Sequence, residues 1–336
     1  MTALQESTNV LEVENLGIAF GSSESRLSVV EDLTFAVRSG ELLALVGESG
    51  CGKSVTALAI MGLLPRPQAS TPAGRIVFEG QDITTLDEAA MQDLRGRRIA
   101  MIFQEPMTAL NPVMRIGRQI EEVLLRHRVV ERGEARPRAL ELLRQVRIAD
   151  PERRLRQYPH ELSGGMRQRV MIAMALACDP VLLLADEPTT ALDVTVQAQI
   201  MELIADLQRR RGTSVVLITH DLGIVAETAD RVIVMYAGRV VETASVRTVL
   251  EAPRHPYTQG LIASVPRLGR NRRGSGAPLA DIPGSVPPPG ERGRGCVFRQ
   301  RCAWAIDACA ERQPQLDPFG EGHRVACLRA HETVSS

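Results

Sequence analysis

LSGGMRQRVMIAMALACDPVLLLADEPTTALD, at residues 162–193, is the stretch of this chain that decides the fold. It begins with a Ser-Gly-Gly turn at the start of a predicted helix and continues into an apolar strand that ends at Asp186 and Glu187. An Asp-Glu pair at the end of a buried strand can bind Mg²⁺ with the first carboxylate and polarise a water molecule with the second. The stretch therefore predicts a second segment elsewhere that binds phosphate.

A glycine-rich loop at 47–54, GESGCGKS, is that second segment. It fits the pattern G-x-x-x-x-G-K-[ST], and it follows the apolar run ELLALV and precedes a helical pattern. Backbone N–H groups of such a loop converge on phosphate oxygens at a helix N-terminus. Lys53 is expected to pair with the β- and γ-phosphates, and Ser54 to provide a hydroxyl to Mg²⁺. The loop residues expected at the nucleotide are Gly47, Glu48, Ser49, Gly50, Cys51, Gly52, Lys53 and Ser54.

Hydrophobic patterns along the rest of the chain predict an α/β fold with a mostly parallel sheet. Short alternating strands at 9–38 predict an N-terminal antiparallel β subdomain, and helical patterns predict an inserted helical subdomain at about 105–180. We expect a nucleotide-binding domain over 1–265. Residues 266–295 are rich in Gly, Pro and Arg, so we expect 266–336 to be a linker and a small extension that contains four cysteines.

Composition excludes some classes of function. The 40 basic and 40 acidic side chains cancel, and aromatic residues make up only 3% of the chain, so nucleic acid is not an expected partner. No apolar run reaches the roughly 18–20 residues that span a bilayer, so the chain is not itself expected to be a channel. The N-terminal residues lack the pattern of a secretory signal. We expect a cytoplasmic protein.

Over residues 9 to about 265, the chain resembles the ATPases of ATP-binding cassette (ABC) transporters. LSGGMRQR at 162–169 resembles the signature motif of that family. The other positions that match are Phe20 for the aromatic residue that stacks on adenine, Gln104 in IFQEP for the Q-loop glutamine, Ala191-Leu192-Asp193 for the D-loop, and His220 in LITHD for the switch histidine.

The resemblance implies a role for each of these residues. Glu187 would be the general base, while His220 and Gln104 would position the attacking water. Asp186 would bind Mg²⁺ with Ser54 and Gln104. The residues implied at the nucleotide of an opposite cassette are Ser163, Gly164, Gly165, Gln168 and Asp193. An ordinary helix cap by Ser163 fits the local sequence equally well, and a lone aromatic such as Phe20 is more often a core residue.

Two further segments resemble a subfamily of ABC ATPases. PRHPYTQGL at 253–261 and the pattern IPGSVP…GCVFRQRC near the C-terminus are similar to those of ATPases that energise oligopeptide, dipeptide and nickel uptake. This implies a D-type subunit at the cytoplasmic face of the inner membrane. Its partners would be an F-type ATPase, two transmembrane permease subunits and an extracytoplasmic binding protein. Peptides are the expected cargo, and nickel or another small solute is the alternative.

A different class of function is a soluble ABC ATPase that acts on nucleic acid or ribosomes. Chromosome-type members contain a long coiled coil, for which this chain has no room, and ribosome-acting members usually carry two cassettes. This chain contains a single set of cassette motifs. The sequence therefore favours the membrane partner.

Four of the six cysteines fall near the C-terminus with the spacing C-x5-C-x6-C-x17-C. This matches neither paired C-x-x-C zinc spacing nor the tight run of bacterial ferredoxins. Spacing alone leaves zinc, an iron–sulfur cluster and no metal open. The resemblance implies a [4Fe–4S] cluster, with His323 as an alternative ligand for zinc. The implied cluster ligands are Cys296, Cys302, Cys309 and Cys327.

Overall fold

Apolar runs and amphipathic segments alternate along the chain, and they form alternating strands and helices in its computed structural model, which describes residues 9–22, 25–190, 192–265 and 282–332. The strands are β1 (Asn9–Phe20), β2 (Leu27–Arg38), β3 (Leu42–Val46), β4 (Ala69–Phe78), β5 (Gln81–Asp82), β6 (Ile99–Ile102), β7 (Leu182–Asp186), β8 (Ser214–Thr219), β9 (Arg231–Tyr236), β10 (Arg239–Ser245), β11 (Asp317–Gly320) and β12 (His323–Val325).

The helices include several short ones of a single turn. They are α1 (Lys53–Ile60), α2 (Glu88–Leu94), α3 (Pro106–Ala109), α4 (Ile116–Arg126), α5 (Ala135–Gln145), α6 (Pro151–Arg154), α7 (Gly164–Ala175), α8 (Val194–Arg211), α9 (Leu222–Thr228), α10 (Val246–Glu251), α11 (Pro256–Ser264) and α12 (Ala308–Glu311). The chain divides into two compact units. The first comprises the residues up to Glu12, Ala36–Leu42 and Val77–Ile218, and the second comprises Val13–Phe35, Leu43–Ile76 and the residues from Thr219 onward.

The first unit contains the parallel strands β8, β7 and β6, which are neighbours in that order. All residues of β6 and β7 are buried, as expected for apolar strands covered on both faces. Helices α4, α5 and α7 pack on one another, and α7 also packs against β6. In α4, the apolar residues Ile116, Ile120 and Leu124 are buried, as expected for an amphipathic helix.

The second unit contains strands in the order β11-β12-β10-β9-β3. β3 and β9 are parallel, whereas β9, β10, β12 and β11 pair antiparallel in succession. The segments of β2, β1 and β4 that lie in this unit are neighbours in that order. The α/β class with parallel strands, predicted from the sequence, is therefore confirmed, and the antiparallel pairing of β10 and β12 adds a C-terminal strand that the sequence did not predict.

The C-terminal residues share a hydrophobic core with the strands of the second unit. Cys296, Val297 and Phe298 are buried together with residues of β3, β9 and β10. The ring of Phe298 lies 5.0 Å from that of Tyr236 in β9 and 5.4 Å from that of Tyr257 in α11. Burial of these apolar side chains stabilises the packing of the C-terminal segment against β3, the strand that precedes the glycine loop. Of the expected linker, residues 266–281 lie outside the described ranges.

Candidate nucleotide-binding site

The glycine loop lies between β3 and α1 in the second unit, as the sequence predicted. Gly47 and Gly52 have φ angles of 150° and 106°, which favour glycine. A Cβ atom on Gly47 would lie 2.2 Å from the carbonyl oxygen of Met235, and one on Gly52 would lie 2.7 Å from Cγ2 of Val30. The loop therefore adopts a conformation that leaves no space for a side chain at these two positions. Helix α1 begins without a side-chain hydrogen bond that caps its first N–H groups. Such a cradle fits phosphate oxygens.

Lys53 is buried at the start of α1, with 5% of its surface exposed. Its Nζ donates hydrogen bonds to the carbonyl oxygens of Gly47 (2.7 Å) and Glu48 (3.0 Å). Both acceptors are neutral carbonyl oxygens, so neither compensates a positive charge that an anionic ligand could bind. Nζ also lies 3.6 Å from Sγ of Cys51, and burial raises the pKa of that thiol. Cys51 is therefore a neutral, buried thiol, which argues against a redox role.

The remaining loop residues are arranged around these groups. Ser49 and Gly50 are exposed, and Ser54 is half-buried in the first turn of α1. The carbonyl oxygen of Cys51 accepts a hydrogen bond from the N–H of Gly238 (2.9 Å), in the turn between β9 and β10. The backbone N–H of Glu48 donates to the hydroxyl of Tyr257 (2.8 Å), and its carboxylate forms an ion pair with Arg301 (2.8 Å).

Tyr257 and Arg301 are residues of the loop's surroundings that sequence reasoning missed. Tyr257 belongs to the HPYT segment, which was interpreted only as a marker of a subfamily. Arg301 is one of several arginines near the C-terminus, and no local signal separates it from the others. The contact of each with Glu48 spans more than 200 positions of sequence, so periodicity and spacing contain no trace of it.

The first unit contains the predicted carboxylate pair. Asp186 is the last residue of β7 and is buried, and Glu187 follows it with a φ of 43°. Oε2 of Glu187 accepts hydrogen bonds from Nε2 of Gln104 (3.0 Å) and from the hydroxyl of Thr190 (2.8 Å). A left-handed φ is strained for a glutamate, and strain of this kind is common at functional sites. The structure thus brings the Q-loop glutamine and the predicted base together.

The signature residues also lie in the first unit, at the start of α7. Oγ of Ser163 accepts a hydrogen bond from the N–H of Met166 (3.3 Å) and so caps the helix. A Cβ on Gly165 would lie 2.8 Å from Cγ1 of Val196, whereas one on Gly164 would meet Leu192 at an ordinary 3.6 Å. Gly165 therefore allows the starts of α7 and α8 to approach closely.

Gln168 and Asp193 differ in their exposure. Gln168 is only 2% exposed, and its Nε2 has no hydrogen-bond partner among the residues that the structure describes. Asp193 is exposed and caps α8 by accepting a hydrogen bond from the N–H of Val196 (3.0 Å). The side chain of Val194, directly after it, is 83% exposed. Ala191, the first residue of the predicted D-loop, lies outside the described residues.

His220 and Phe20 belong to the second unit, like the glycine loop. His220 is exposed and directly follows β8, the position predicted for it. The next residue, Asp221, caps α9 by accepting hydrogen bonds from the N–H groups of Gly223 and Ile224. Phe20 is half-buried as the last residue of β1. His220 therefore lies at the carboxyl end of a parallel strand, where ligands bind in α/β sheets, whereas Phe20 ends a strand that pairs with β2 and β4.

The four C-terminal cysteines are all unpaired thiols of the second unit. The N–H of Cys296 donates a hydrogen bond to the carbonyl oxygen of Cys309 (2.8 Å). Burial, followed by the other three thiols, raises the pKa of Cys327 to about 11, so the four sulfur atoms influence one another. Within the residues that the structure describes, however, no group of three or more His, Cys, Asp or Glu side chains could hold a metal ion. His323 instead bonds to the buried Glu242 (2.8 Å).

Comparison with known families agrees with this geometry. The model of the ABC transporter family matches residues 30–190, which include the glycine loop, the signature turn and the carboxylate pair. The model of the oligopeptide/dipeptide transporter C-terminal region matches residues 241–309, which include Tyr257 and Arg301.

Similar proteins cover nearly the whole chain. A probable peptide ABC transporter ATP-binding protein of Sinorhizobium fredii is 56% identical over 97% of this chain and 96% of its own length. The oligopeptide transport ATP-binding protein OppD of Bacillus subtilis is 50% identical over 96% of this chain and 90% of its own length. The chain therefore belongs to the ABC transporter ATP-binding proteins of the oligopeptide and dipeptide importer family.

Solved structures agree as well. The ATP-binding cassette MJ0796, in a dimeric post-hydrolysis state bound to ADP and Pi, is 28% identical with a TM-score of 0.64 and covers 70% of this chain and 99% of its own. CbiO1 of Clostridium perfringens, part of an ABC transporter complex, is 27% identical with a TM-score of 0.62 and covers 73% and 91%. The chain is an ABC ATPase, whose ATP hydrolysis is coupled to transport.

Proposed function

We propose that this chain hydrolyses ATP to energise the import of peptides through an ABC transporter complex. The observation that carries the proposal is the presence, in one chain, of a phosphate cradle and a C-terminal region of the oligopeptide/dipeptide transporter type. The names of the most similar relatives refer to peptide and oligopeptide transport and support this cargo. Nickel or another small solute is the alternative cargo.

The proposed chemistry assigns one role to each site residue. Backbone N–H groups of Gly47–Ser54 bind the phosphates, and Lys53 adds positive charge beside the β- and γ-phosphates. Ser54, Gln104 and Asp186 are oxygen donors of the kind that Mg²⁺ prefers. Mg²⁺, when bound, neutralises charge that develops on the phosphate oxygens. Phe20 stacks on the adenine.

Glu187 accepts the proton of the attacking water in this proposal, and Gln104 and His220 orient that water. The hydrogen bond between Gln104 and Glu187 supports this pairing, since it holds the carboxylate in one position. Catalysis of phosphoryl transfer relies mainly on placement and charge stabilisation, which fixed side chains supply.

The signature turn serves a nucleotide held by a second cassette in this proposal. Ser163, Gly164 and Gly165 present a hydroxyl and N–H groups at the start of α7, and Gln168 and Asp193 support that surface. The proposed partner is an F-type ATPase, so this chain alone is expected to hydrolyse ATP slowly.

The remaining partners follow from the family. As the ATP-binding part of a transporter complex, the chain needs transmembrane permease subunits and a substrate-binding protein. Within the described part of the chain, no helix is long and apolar enough to cross a membrane. We place the chain at the cytoplasmic face of the inner membrane as a peripheral subunit. In the domain division that we propose, 1–265 bind the nucleotide and 266–336 form the linker and extension.

The alternative of an ATPase acting on nucleic acid or ribosomes has weaker support. The chain has no net charge, and aromatic side chains are few.

A [4Fe–4S] cluster on Cys296, Cys302, Cys309 and Cys327 is a separate proposal. The proposal rests on the four unpaired thiols and on the resemblance of this segment to ATPases of the oligopeptide importer family, because in the described residues no group of three or more potential ligands is arranged to hold a metal ion. Elemental analysis of anaerobically purified protein tests it, because a cluster requires iron and acid-labile sulfide in equal amounts. Zinc without iron, or no metal at all, would overturn this assignment.

The cargo can be tested in a host that lacks this chain and cannot synthesise one amino acid. We expect growth on the free amino acid but not on an oligopeptide that contains it, and plasmid-borne wild-type chain should restore growth on the peptide. If peptide growth is normal in the deletion strain while cellular nickel falls, the nickel alternative replaces the proposal.

A further inference from the structure

The second residue of the phosphate loop is held from outside the loop by two C-terminal residues. The N–H of Glu48 donates to the hydroxyl of Tyr257 in α11, at 2.8 Å. The carboxylate of Glu48 accepts from Nη1 of Arg301, also at 2.8 Å. Burial raises the pKa of Tyr257, so its hydroxyl stays protonated at neutral pH. Both the backbone and the side chain of Glu48 are thus fixed. Tyr257, in the last helix of the predicted nucleotide-binding domain, binds the backbone, and Arg301, in the C-terminal segment, binds the side chain.

Arg301 is anchored in the C-terminal segment before it reaches the loop. Its Nε donates to the carbonyl oxygen of Pro283 (2.8 Å), and its Nη2 donates to that of Ile282 (2.8 Å). The guanidinium lies 5.7 Å from the ring centre of Tyr236, and only 6% of the side chain is exposed. A planar guanidinium with this many fixed partners has little freedom to move. Arg301 therefore connects the segment around residue 282 rigidly to Glu48.

The ion pair has an electrostatic consequence for the phosphate cradle. Glu48 lies between Gly47 and Ser49, and its own carbonyl oxygen accepts a hydrogen bond from Nζ of Lys53 (3.0 Å). An unpaired carboxylate at this position would repel a triphosphate and compete with it for the ammonium of Lys53. Pairing with the buried guanidinium of Arg301 compensates this charge where solvent screening is weak.

We propose that Arg301 is a positioning residue for ATP binding, because it neutralises the carboxylate of Glu48 beside the phosphate loop. Through the ion pair between Arg301 and Glu48, the C-terminal segment contributes to nucleotide binding. A change that displaces residues 282–301 would therefore weaken ATP binding. The inference rests on the proposed function only in taking ATP as the ligand, and it requires no particular cargo.

The test is the equilibrium dissociation constant of Mg-ATP for the full-length chain, measured by calorimetry. Arg301→Gln should raise it by roughly tenfold, because an uncompensated carboxylate remains beside the phosphates. The matched control is Arg299→Gln, which removes the same charge from the same segment. Among the described residues, the guanidinium of Arg299 donates to the carbonyl oxygens of Arg292 and Cys296 and not to the phosphate loop, so its loss should leave ATP affinity within about twofold of the wild type.

A second variant separates charge pairing from a general loss of structure. With Glu48→Gln added to Arg301→Gln, no uncompensated carboxylate remains, so ATP affinity should return to within about twofold of the wild type. If Arg301→Gln does not fold, Arg301→Lys decides, because its ammonium keeps a positive charge beside Glu48 and ATP affinity should stay within about threefold of the wild type. Wild-type affinity in Arg301→Gln, persistent weakening in the double variant, or a tenfold loss of affinity in Arg301→Lys would overturn the proposal. Transport is not measured, so a wrong cargo would leave the result intact.

Discussion

Glu187 shows how one residue combines strain with fixed hydrogen bonds. Its backbone has a φ of 43°, and its Oε2 is held by Gln104 and Thr190. Left-handed backbone costs a glutamate about 1 kcal/mol or more, so the surrounding structure must enforce it. A carboxylate fixed by neutral donors is placed to accept a proton without rearranging. The two hydrogen bonds support the proposed role of Glu187 as the general base.

Replacing this carboxylate should separate binding from chemistry. Glu187→Gln keeps the shape of the side chain but cannot accept a proton, so ATP binding should be unchanged while hydrolysis by the assembled complex falls at least about a hundredfold. The measurement is phosphate release at saturating ATP. Glu202→Gln, an exposed residue of the same unit that pairs with Arg147, is the control and should hydrolyse ATP normally. Turnover within tenfold of the wild type in Glu187→Gln would show that another group is the base.

At the scale of the elements, the short apolar strands were predictable from the sequence. The runs at 41–46, 181–186 and 214–219 correspond to β3, β7 and β8 to within one residue. Every residue of these strands is buried, so each strand is a continuous apolar run that can be recognised in the sequence without knowledge of its neighbours in the sheet. The glycine loop was predictable for the same reason, because its conformation depends on its own glycines.

The C-terminal elements were not predictable in this way. β10 contains Glu242, which is fully buried and bonds to His323, 81 positions away. A glutamate argues against a buried strand when only the local sequence is considered, because burying it requires a hydrogen-bond partner. That partner, His323, is brought close only by the fold. The contacts of Arg301 and Tyr257 with Glu48 were missed for the same reason. Local features that depend on one motif, such as the glycine loop, were therefore accessible to sequence reasoning, and contacts that depend on distant pairing were not.

The turn from β3 into α1 should tolerate a methyl group at one glycine and not at another. Gly47→Ala would place Cβ 2.2 Å from the carbonyl oxygen of Met235, so it should lower the free energy of unfolding by about 3 kcal/mol or more. Gly50→Ala meets no atom within 4 Å and has only the strain of its φ of 79°, so it should cost about 1 kcal/mol. Urea unfolding of the two variants measures the difference. Equal costs would contradict the close approach of loop and strand.

The start of α11 should make stability depend on pH. Burial lowers the pKa of His255 to about 3, below the value near 6.5 of an unfolded chain. Between these values the unfolded state binds more protons, so stability is full above pH 6.5 and falls as the pH decreases. Lowering the pH from 7.5 to 5 should cost about 2 kcal/mol through this residue.

His255→Asn keeps an acceptor for the N–H of Tyr257 but does not titrate, so this part of the pH dependence should disappear. Urea unfolding at pH 7.5 and pH 5 measures it. The exposed His160 is the control residue, and His160→Asn should retain the full dependence. The same slope in the wild type and in His255→Asn would show that other groups cause it.

At the scale of the whole molecule, the chain combines ATP-binding elements with a C-terminal region that packs into the core of one of its units. Cys296, Val297 and Phe298 are buried with β9 and β10, and β12 pairs with β10. The region matched as typical of oligopeptide/dipeptide transporters is thus part of the folded unit that contains the phosphate loop. This arrangement brings Tyr257 and Arg301 into contact with Glu48 of the phosphate loop.

The most direct test of the central claim is uptake of a labelled oligopeptide into proteoliposomes that contain this chain, its partner ATPase and the permease subunits, with the binding protein and Mg-ATP supplied on the appropriate sides. We predict accumulation of the peptide that requires ATP and is lost when the chain carries Glu187→Gln. ATP hydrolysis without peptide accumulation, or accumulation that persists with Glu187→Gln, would contradict the account.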